Sequence, residues 1–397
     1  MMMKQKITIA ILIVGLFVLG IGATAHHYRH QLVVQAGQSN QRLKQVQQQL
    51  QTTQKQLAEQ VAKDNHSAID TRKTNQLTGV QQQVLQKKLT DSHFSGTILL
   101  VKNNRIIYQD GRGYANYEQQ KLITPQTTYQ IASVQKSLTA ALVMKAVEAG
   151  QLKLTDKIGQ YYPQIKEGQK ITIQMMLDMQ SGLIETKAPT VDLTEQQRFA
   201  FAFDHLKVQN IGKHFYAPVN YLLLTGVLEK VTHQSYQQLF EKQVSEPLAL
   251  TSFGFMPNSI AGQQAVSYTV ENNFYGEAVP VPIFTYTREI GTGNMYATAS
   301  SLFQVEQAIV QGRIISKNSL HQLRHTQTGS YSGGVYNWPT YFTSHGVESG
   351  YESAIQISQD GQSGVVLLSN QYKVKPVPLV GLTKSLYQQF CETQTKA

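Results

Sequence analysis

The sequence has one cysteine, Cys391, in 397 residues. A lone thiol cannot close an internal disulfide or build a cysteine-based zinc site. Its place near the carboxyl end, in an expected terminal helix, suits a small core filler. The eleven histidines include no His-Glu-x-x-His or comparable ligand spacing, so neither metal catalysis nor a cofactor is expected. Charge is sparse, at 15% of residues, and acids are the scarcer sign. Their scarcity is local: residues 1–90 carry eleven Lys or Arg against only Glu59, Asp64 and Asp70, so +8 of the net charge of +10 lies there. Such a basic segment suits anionic lipid headgroups or another polyanion, or serves simply as a solvated spacer.

Within that basic region lies a long stretch without any charge. Ile7 to Ala25 is nineteen residues, mostly apolar, preceded by Lys4 and Lys6. This is enough for one bilayer crossing with the amino end inside. The expectation is a cytoplasmic tail at 1–6 and a single-pass anchor at 7–25, with the rest extracellular. Ala23-Thr24-Ala25 also offers a signal cleavage pattern, in which case the protein is secreted. Export makes nucleic acid an unsuitable partner. Residues 26–79 read as a Gln-rich stalk and linker. There Leu43, Val46, Leu50, Thr53, Leu57 and Val61 recur at steps of three and four, a helical stripe or short coiled coil whose oligomeric state stays open.

The segment Thr127 to Lys136 places Ser133 and Lys136 three residues apart, where an extended stretch becomes a helix. That spacing sets both side chains on one helical face. The run from Ser137 has apolar residues at helical period and stops at Gly150, as a buried helix does. Ser133 in the first turn meets free N–H groups and the positive dipole end, which favour negative charge on its oxygen. An ammonium is costly to desolvate, so a lysine kept from water can serve as base for a hydroxyl. This is the Ser-x-x-Lys device.

Around it, a helix near Val80–Leu89 precedes a strand at Phe94–Val101. A turn follows at Asn103-Asn104, then a partner strand from Arg105 to Tyr108 that continues through Gly111–Tyr114. A late strand at Gly364–Ser369 and a terminal helix near Lys384–Phe390 close the chain. Early and late strands enclosing a long helical middle imply an α/β (α+β) domain. Its central antiparallel sheet is assembled from both chain ends and flanked by helices.

Beyond Ser133 and Lys136, several phrases occur in a familiar order: Phe94-Ser95-Gly96-Thr97, Tyr161-Tyr162-Pro163, Ser181-Gly182-Leu183, Asn220-Tyr221, Glu246-Pro247-Leu248 and Gly291 to Thr298. Together they resemble the serine β-lactamase and penicillin-binding-protein family, in its class C and D-alanyl-hydrolase branch, over roughly residues 85–390. The resemblance implies a β-lactamase-like catalytic domain at 80–397, with an all-helical subdomain at roughly 140–290. The family's second motif, Tyr-x-Asn, falls on Tyr216-Ala217-Pro218. Tyr216 is then the proton shuttle, and Asn220 lies just beyond as a substrate contact. The third motif, Lys-Thr-Gly, falls on Ser344-His345-Gly346. Ser344, His345 and Gly346 become substrate-binding candidates, and the N–H groups of Ser133 and Val347 become the oxyanion hole.

Two departures bear on substrate. Pro218 lacks the amide with which the family's Asn holds a peptide group, and Ser344 lacks the cation that pairs with a free carboxylate. An acyl donor without an anion suits such a site. A D-alanyl ester of lipoteichoic or another teichoic acid fits, and the chain resembles membrane-anchored teichoic acid D-alanyl esterases. Glu348 and Glu352 are the acids near the third motif for the ester's ammonium. The alternatives are a D-Ala-D-Ala carboxypeptidase acting on peptidoglycan stem peptides, then a β-lactamase, and, from another class, a non-catalytic wall-binding or sensor protein.

Overall fold

The computed structural model describes residues 42, 44–46, 49 and 73–392, apart from 261, 325–327 and 373–378. The chain divides into two units, Met1–Val61 and Ala62–Ala397. In the first, Arg42, residues 44–46 and Gln49 are helical. The expected tail, the 7–25 anchor and most of the stalk lie outside the described residues. Among the described residues no helix is long and apolar enough to cross a membrane.

In the second unit eight strands form an antiparallel sheet. They are β1 (Thr74–Asn75), β2 (Gly96–Lys102), β3 (Arg105–Arg112), β4 (Ser330–Ser332), β5 (Val335–Asn337), β6 (Tyr341–Glu348), β7 (Tyr351–Ser358) and β8 (Gly364–Ser369). Their order, β1-β3-β2-β8-β7-β6-β5-β4, brings the late β8 beside the early β2, with Gly364 opposite Val101 and Ser369 opposite Gly96. The β2–β3 hairpin turns at Asn103 and Asn104, both in the left-handed region with φ of 51° and 61°. Asn tolerates that conformation, and the turn matches the right-handed twist of the strands.

Both faces of the central strands are covered. Leu99, Val366, Leu368 and Ile355 point into one apolar cluster, while Ile98, Leu100, Val365 and Leu367 point into a second. This is why these strands read as unbroken apolar runs rather than alternating ones. The first helix, α1 (Gly79–Asp91), is started by a Thr78/Gln81 capping box and buries Leu85 and Leu89 in the second cluster. The last helix covers the same face, with Leu382 and Leu386. It begins at Leu379, five residues earlier than expected, and passes into a wider turn at Tyr387–Cys391. Cys391 is buried there, its thiol pushed up to about 12 by burial, which keeps it unreactive.

The other face carries α2 (Gln135–Glu148), preceded by a 3₁₀ turn at Ala132–Val134. Eleven of its fourteen residues are buried, including Gln135, Lys136, Ser137 and Thr139. A helix buried all round needs partners for its polar groups. Gln135 accepts from the Met295 N–H and Thr139 donates to the Gly291 carbonyl, so the Gly291–Thr298 phrase wraps α2. Helix α3 (Val219–Thr232) packs against α2 and opens the wall in which Tyr216 sits.

Candidate active site

The 3₁₀ turn aims Ser133 at Lys136. Lys136 is fully buried, and its Nζ lies 2.8 Å from Ser133 Oγ and 2.8 Å from the Thr292 carbonyl oxygen. A carbonyl only accepts, so one N–H is committed to Thr292, and the face of the nitrogen toward Ser133 can take the hydroxyl proton. Lys136 Nζ also stands 5.5 Å from the centre of the Tyr216 ring. Tyr216 is half-exposed and leans edge-on against Tyr331, with ring centres 5.6 Å apart. Burial and the neighbouring tyrosines Tyr221 and Tyr216 push the Tyr331 phenol well up. Tyr331 is therefore a neutral brace at neutral pH.

The residue before the nucleophile is held in an unusual conformation. Ala132 has φ of +48°, where a Cβ is crowded. Its neighbours fix it: the Ile131 N–H donates to Met295 and the Ile131 carbonyl accepts from Ser353 Oγ at 2.6 Å. Such a conformation costs about 1 kcal/mol or more and persists where the surroundings over-determine it.

Strand β6 passes beside this turn. A Cβ on Gly346 would stand 2.5 Å from the Ile131 oxygen and 2.8 Å from the Ser133 nitrogen, so only glycine permits the approach. Ser344 shares the Gly346 face of the strand. The backbone parity of β6 is fixed by the Trp338 N–H, which donates to the Tyr341 carbonyl on the β5 side. Odd-numbered amides of β6 therefore point to that edge, and β5 pairs no further along β6 than Thr343. The Val347 N–H thus points to this edge, beyond the last residue that β5 pairs.

The remaining candidates are not brought into this group. His345, on the opposite face from Gly346, bonds through Nε2 to Glu352 Oε1 at 2.8 Å, and the same carboxylate accepts from the Leu379 N–H. The substrate role expected for the His345 side chain is corrected by this alternation, and Glu352 goes with it. Asn220 is buried, with Oδ1 2.5 Å from Ser181 Oγ and Nδ2 donating to the Ala217 carbonyl. Its amide is spent on joining α3 to the Ser181–Leu183 segment, so this side chain holds the wall rather than a substrate. Pro218 is the N-cap of α3, where its fixed φ suits a helix start.

A cleft of about 300 Å³ opens beside Tyr216, Phe215 and Thr292. Of the charged groups at its walls, sequence singles out only Glu348. Arg198 grips Glu185 through both terminal nitrogens at 2.7 and 2.8 Å, and Arg288 holds Glu348 at 2.7 Å. Glu289 accepts from Thr292 Oγ1 at 2.6 Å. Thr292 could have been suspected from the Gly291-Thr292-Gly293 phrase, but no local pattern gave it Lys136 as partner. A larger cavity, about 710 Å³, is lined by Tyr161, Tyr162, Pro163, Glu195 and others, and contains none of Ser133, Lys136 and Tyr216. Among the described residues no cluster of His, Cys, Asp and Glu could hold a metal ion.

Comparison with known proteins agrees with this geometry. Residues 82–380 match the Beta-lactamase family. PbpX of Bacillus subtilis (strain 168) is 27% identical over 296 residues, covering 73% of this chain and 74% of that protein. Teichoic acid D-alanine hydrolase of Staphylococcus aureus (strain MRSA252) is 26% identical over 263 residues, 64% of this chain and 66% of that protein. The crystal structure of FmtA from Staphylococcus aureus superposes with a TM-score of 0.71 at 23% identity, covering 85% of this chain and 96% of that one. D-amino acid amidase from Ochrobactrum anthropi SV3 shares the fold with a TM-score of 0.66 at 17% identity, over 78% and 97% of the two chains. With a serine and a lysine joined at the head of a buried helix, a glycine-bearing strand laid against them and the match spanning most of the chain, the protein belongs to the Beta-lactamase family.

Proposed function

We propose that the protein is a serine esterase that removes D-alanine from the D-alanyl esters of teichoic acids. Ser133 Oγ attacks the ester carbonyl while its proton passes to Lys136. The N–H groups of Ser133 and Val347 receive the oxyanion. The polyol oxygen leaves with a proton relayed through Tyr216, and water then releases D-alanine from the acyl-enzyme. The cleft's charge balance carries the choice of substrate. By the motif resemblance Ser344 replaces the lysine that would meet a free carboxylate, and the cleft's own guanidiniums, Arg198 and Arg288, are engaged by Glu185 and Glu348. An acyl donor that bears no anion, as in an esterified D-alanine, suits this balance. The teichoic acid D-alanine hydrolase similarity supports the same substrate.

A D-Ala-D-Ala carboxypeptidase is the second reading, supported by the similarity to the penicillin-binding protein PbpX. It places a free carboxylate where Ser344 offers no charge. The uncharged run at 7–25 supports attachment to the cell membrane with the catalytic unit outside, within reach of lipoteichoic acid. Purified protein incubated with D-alanylated lipoteichoic acid should release D-alanine, and Ser133→Ala should not. No release by the wild type would remove the esterase reading.

A further inference from the structure

We propose that Glu289 and Glu348, joined by Arg288, form the subsite that takes the free ammonium of an aminoacyl group seated on Ser133. This rests on the esterase reading and adds to it the feature by which the acyl group is recognised. An α-amine is two bonds from the acyl carbon, so whatever binds it must stand next to the nucleophile. Glu289 meets that condition. Its Oε2 accepts from Thr292 Oγ1 at 2.6 Å, and the Thr292 carbonyl receives Lys136 Nζ. A Cβ on Gly293 would touch Glu289 Oε2 at 3.3 Å and Ala132 Cα at 3.2 Å, which puts the carboxylate beside the residue preceding Ser133.

Charge then decides what belongs there. Arg288 lies 2.7 Å from Glu348 Oε1 through Nη2 and 3.6 Å from Glu289 Oε1 through Nε, so two carboxylates share one guanidinium. The neighbouring Glu185–Arg198 pair is balanced within itself. One negative charge is left over at the cleft wall, and a ligand ammonium neutralises it. Glu348 registers the same imbalance: burial first and the Glu289 charge next push its carboxyl above the usual range, against the pull of Arg288. Glu352, the other acid near the third motif, faces the far side of the sheet with His345 and has no part in it.

The test compares kcat/KM for a D-alanyl ester of glycerol with that for the propionyl ester, which lacks only the amine. Wild type should prefer the amine-bearing ester by about ten- to a hundred-fold, the range of a charge-assisted contact. Glu289→Gln and Glu348→Gln should each bring the ratio toward one, and Glu289→Asp should keep most of it. Because the readout is a ratio within one preparation, partial loss of folded protein cancels. An unaltered ratio in both Gln variants, or a wild-type ratio near one, overturns the subsite while leaving the esterase in place. Hydrolysis of neither ester overturns the esterase reading itself.

Discussion

Gly346 lies against the backbone of Ser133, with the space for a side chain occupied by the Ser133 nitrogen at 2.8 Å and the Ile131 oxygen at 2.5 Å. In the proposed mechanism this contact sets the spacing of the Val347 and Ser133 N–H groups that would receive the oxyanion. Gly346→Ala must drive the strand and the turn apart. Loss of one well-placed oxyanion donor costs about 10²–10³ in kcat. We expect a loss of that size on a D-alanyl ester, with the thermal midpoint lowered by only a few degrees. Steady-state kinetics and thermal unfolding on the same preparation measure both.

Lys136 is fully buried and holds Ser133 Oγ and the Thr292 carbonyl, each at 2.8 Å from its Nζ. Lys136→Met keeps the shape and removes the base. Labelling of Ser133 by a fluorophosphonate should slow by about 10²–10⁴, the usual contribution of a positioned base. Lys136→Arg should not restore it, because a guanidinium holds its protons. Time courses of labelling followed by intact-protein mass spectrometry decide the point.

Beneath the same helix lies a buried ion pair. Glu306 meets Ser137 Oγ through Oε1 and Arg324 at 3.5 Å through Oε2, and Arg324 stacks 4.4 Å from the Phe342 ring centre. Burial pushes the Glu306 carboxyl up, with Arg324 opposing. Glu306→Ala leaves a guanidinium unpaired in the core and should cost about 3–5 kcal/mol. Replacing both partners by Met should recover most of that loss. Urea unfolding of the three proteins gives the comparison.

Acid stability should show the Glu195 carboxyl. Burial first, then the hydrogen bond and charge of Glu229, push it up to about 8. An unfolded Glu titrates near 4.3, so the folded state keeps a proton that the unfolded chain releases. The stabilisation is complete below about pH 4.3 and is lost as pH rises through about 8. The thermal midpoint should therefore fall across this window, and Glu195→Gln should flatten that fall. Thermal scans at several pH values measure the slope.

Much of this fold was legible because the signals were local. The apolar run Gly364–Ser369 is a strand with those bounds, the Asn103-Asn104 pair makes its turn, and the Ser133–Lys136 spacing brings oxygen and nitrogen together. What escaped depends on contacts far apart in sequence. Thr292 meets Lys136 across 156 positions, and Arg288 reaches Glu348 across 60. Its place in the motif assigns His345 to the substrate, yet adjacent residues of a strand face opposite ways, and the face is known only from what Gly346 touches. Asn220 carries a polar side chain into a buried helix, and sequence does not reveal that Ser181 uses it.

The most direct measurement is peptide mapping of wild-type protein quenched during turnover of a D-alanyl ester. A serine acyl-enzyme predicts an alanyl adduct confined to the peptide carrying Ser133, and no adduct or D-alanine release with Ser133→Ala. Sustained D-alanine release from Ser133→Ala, or an adduct on another residue, would contradict it.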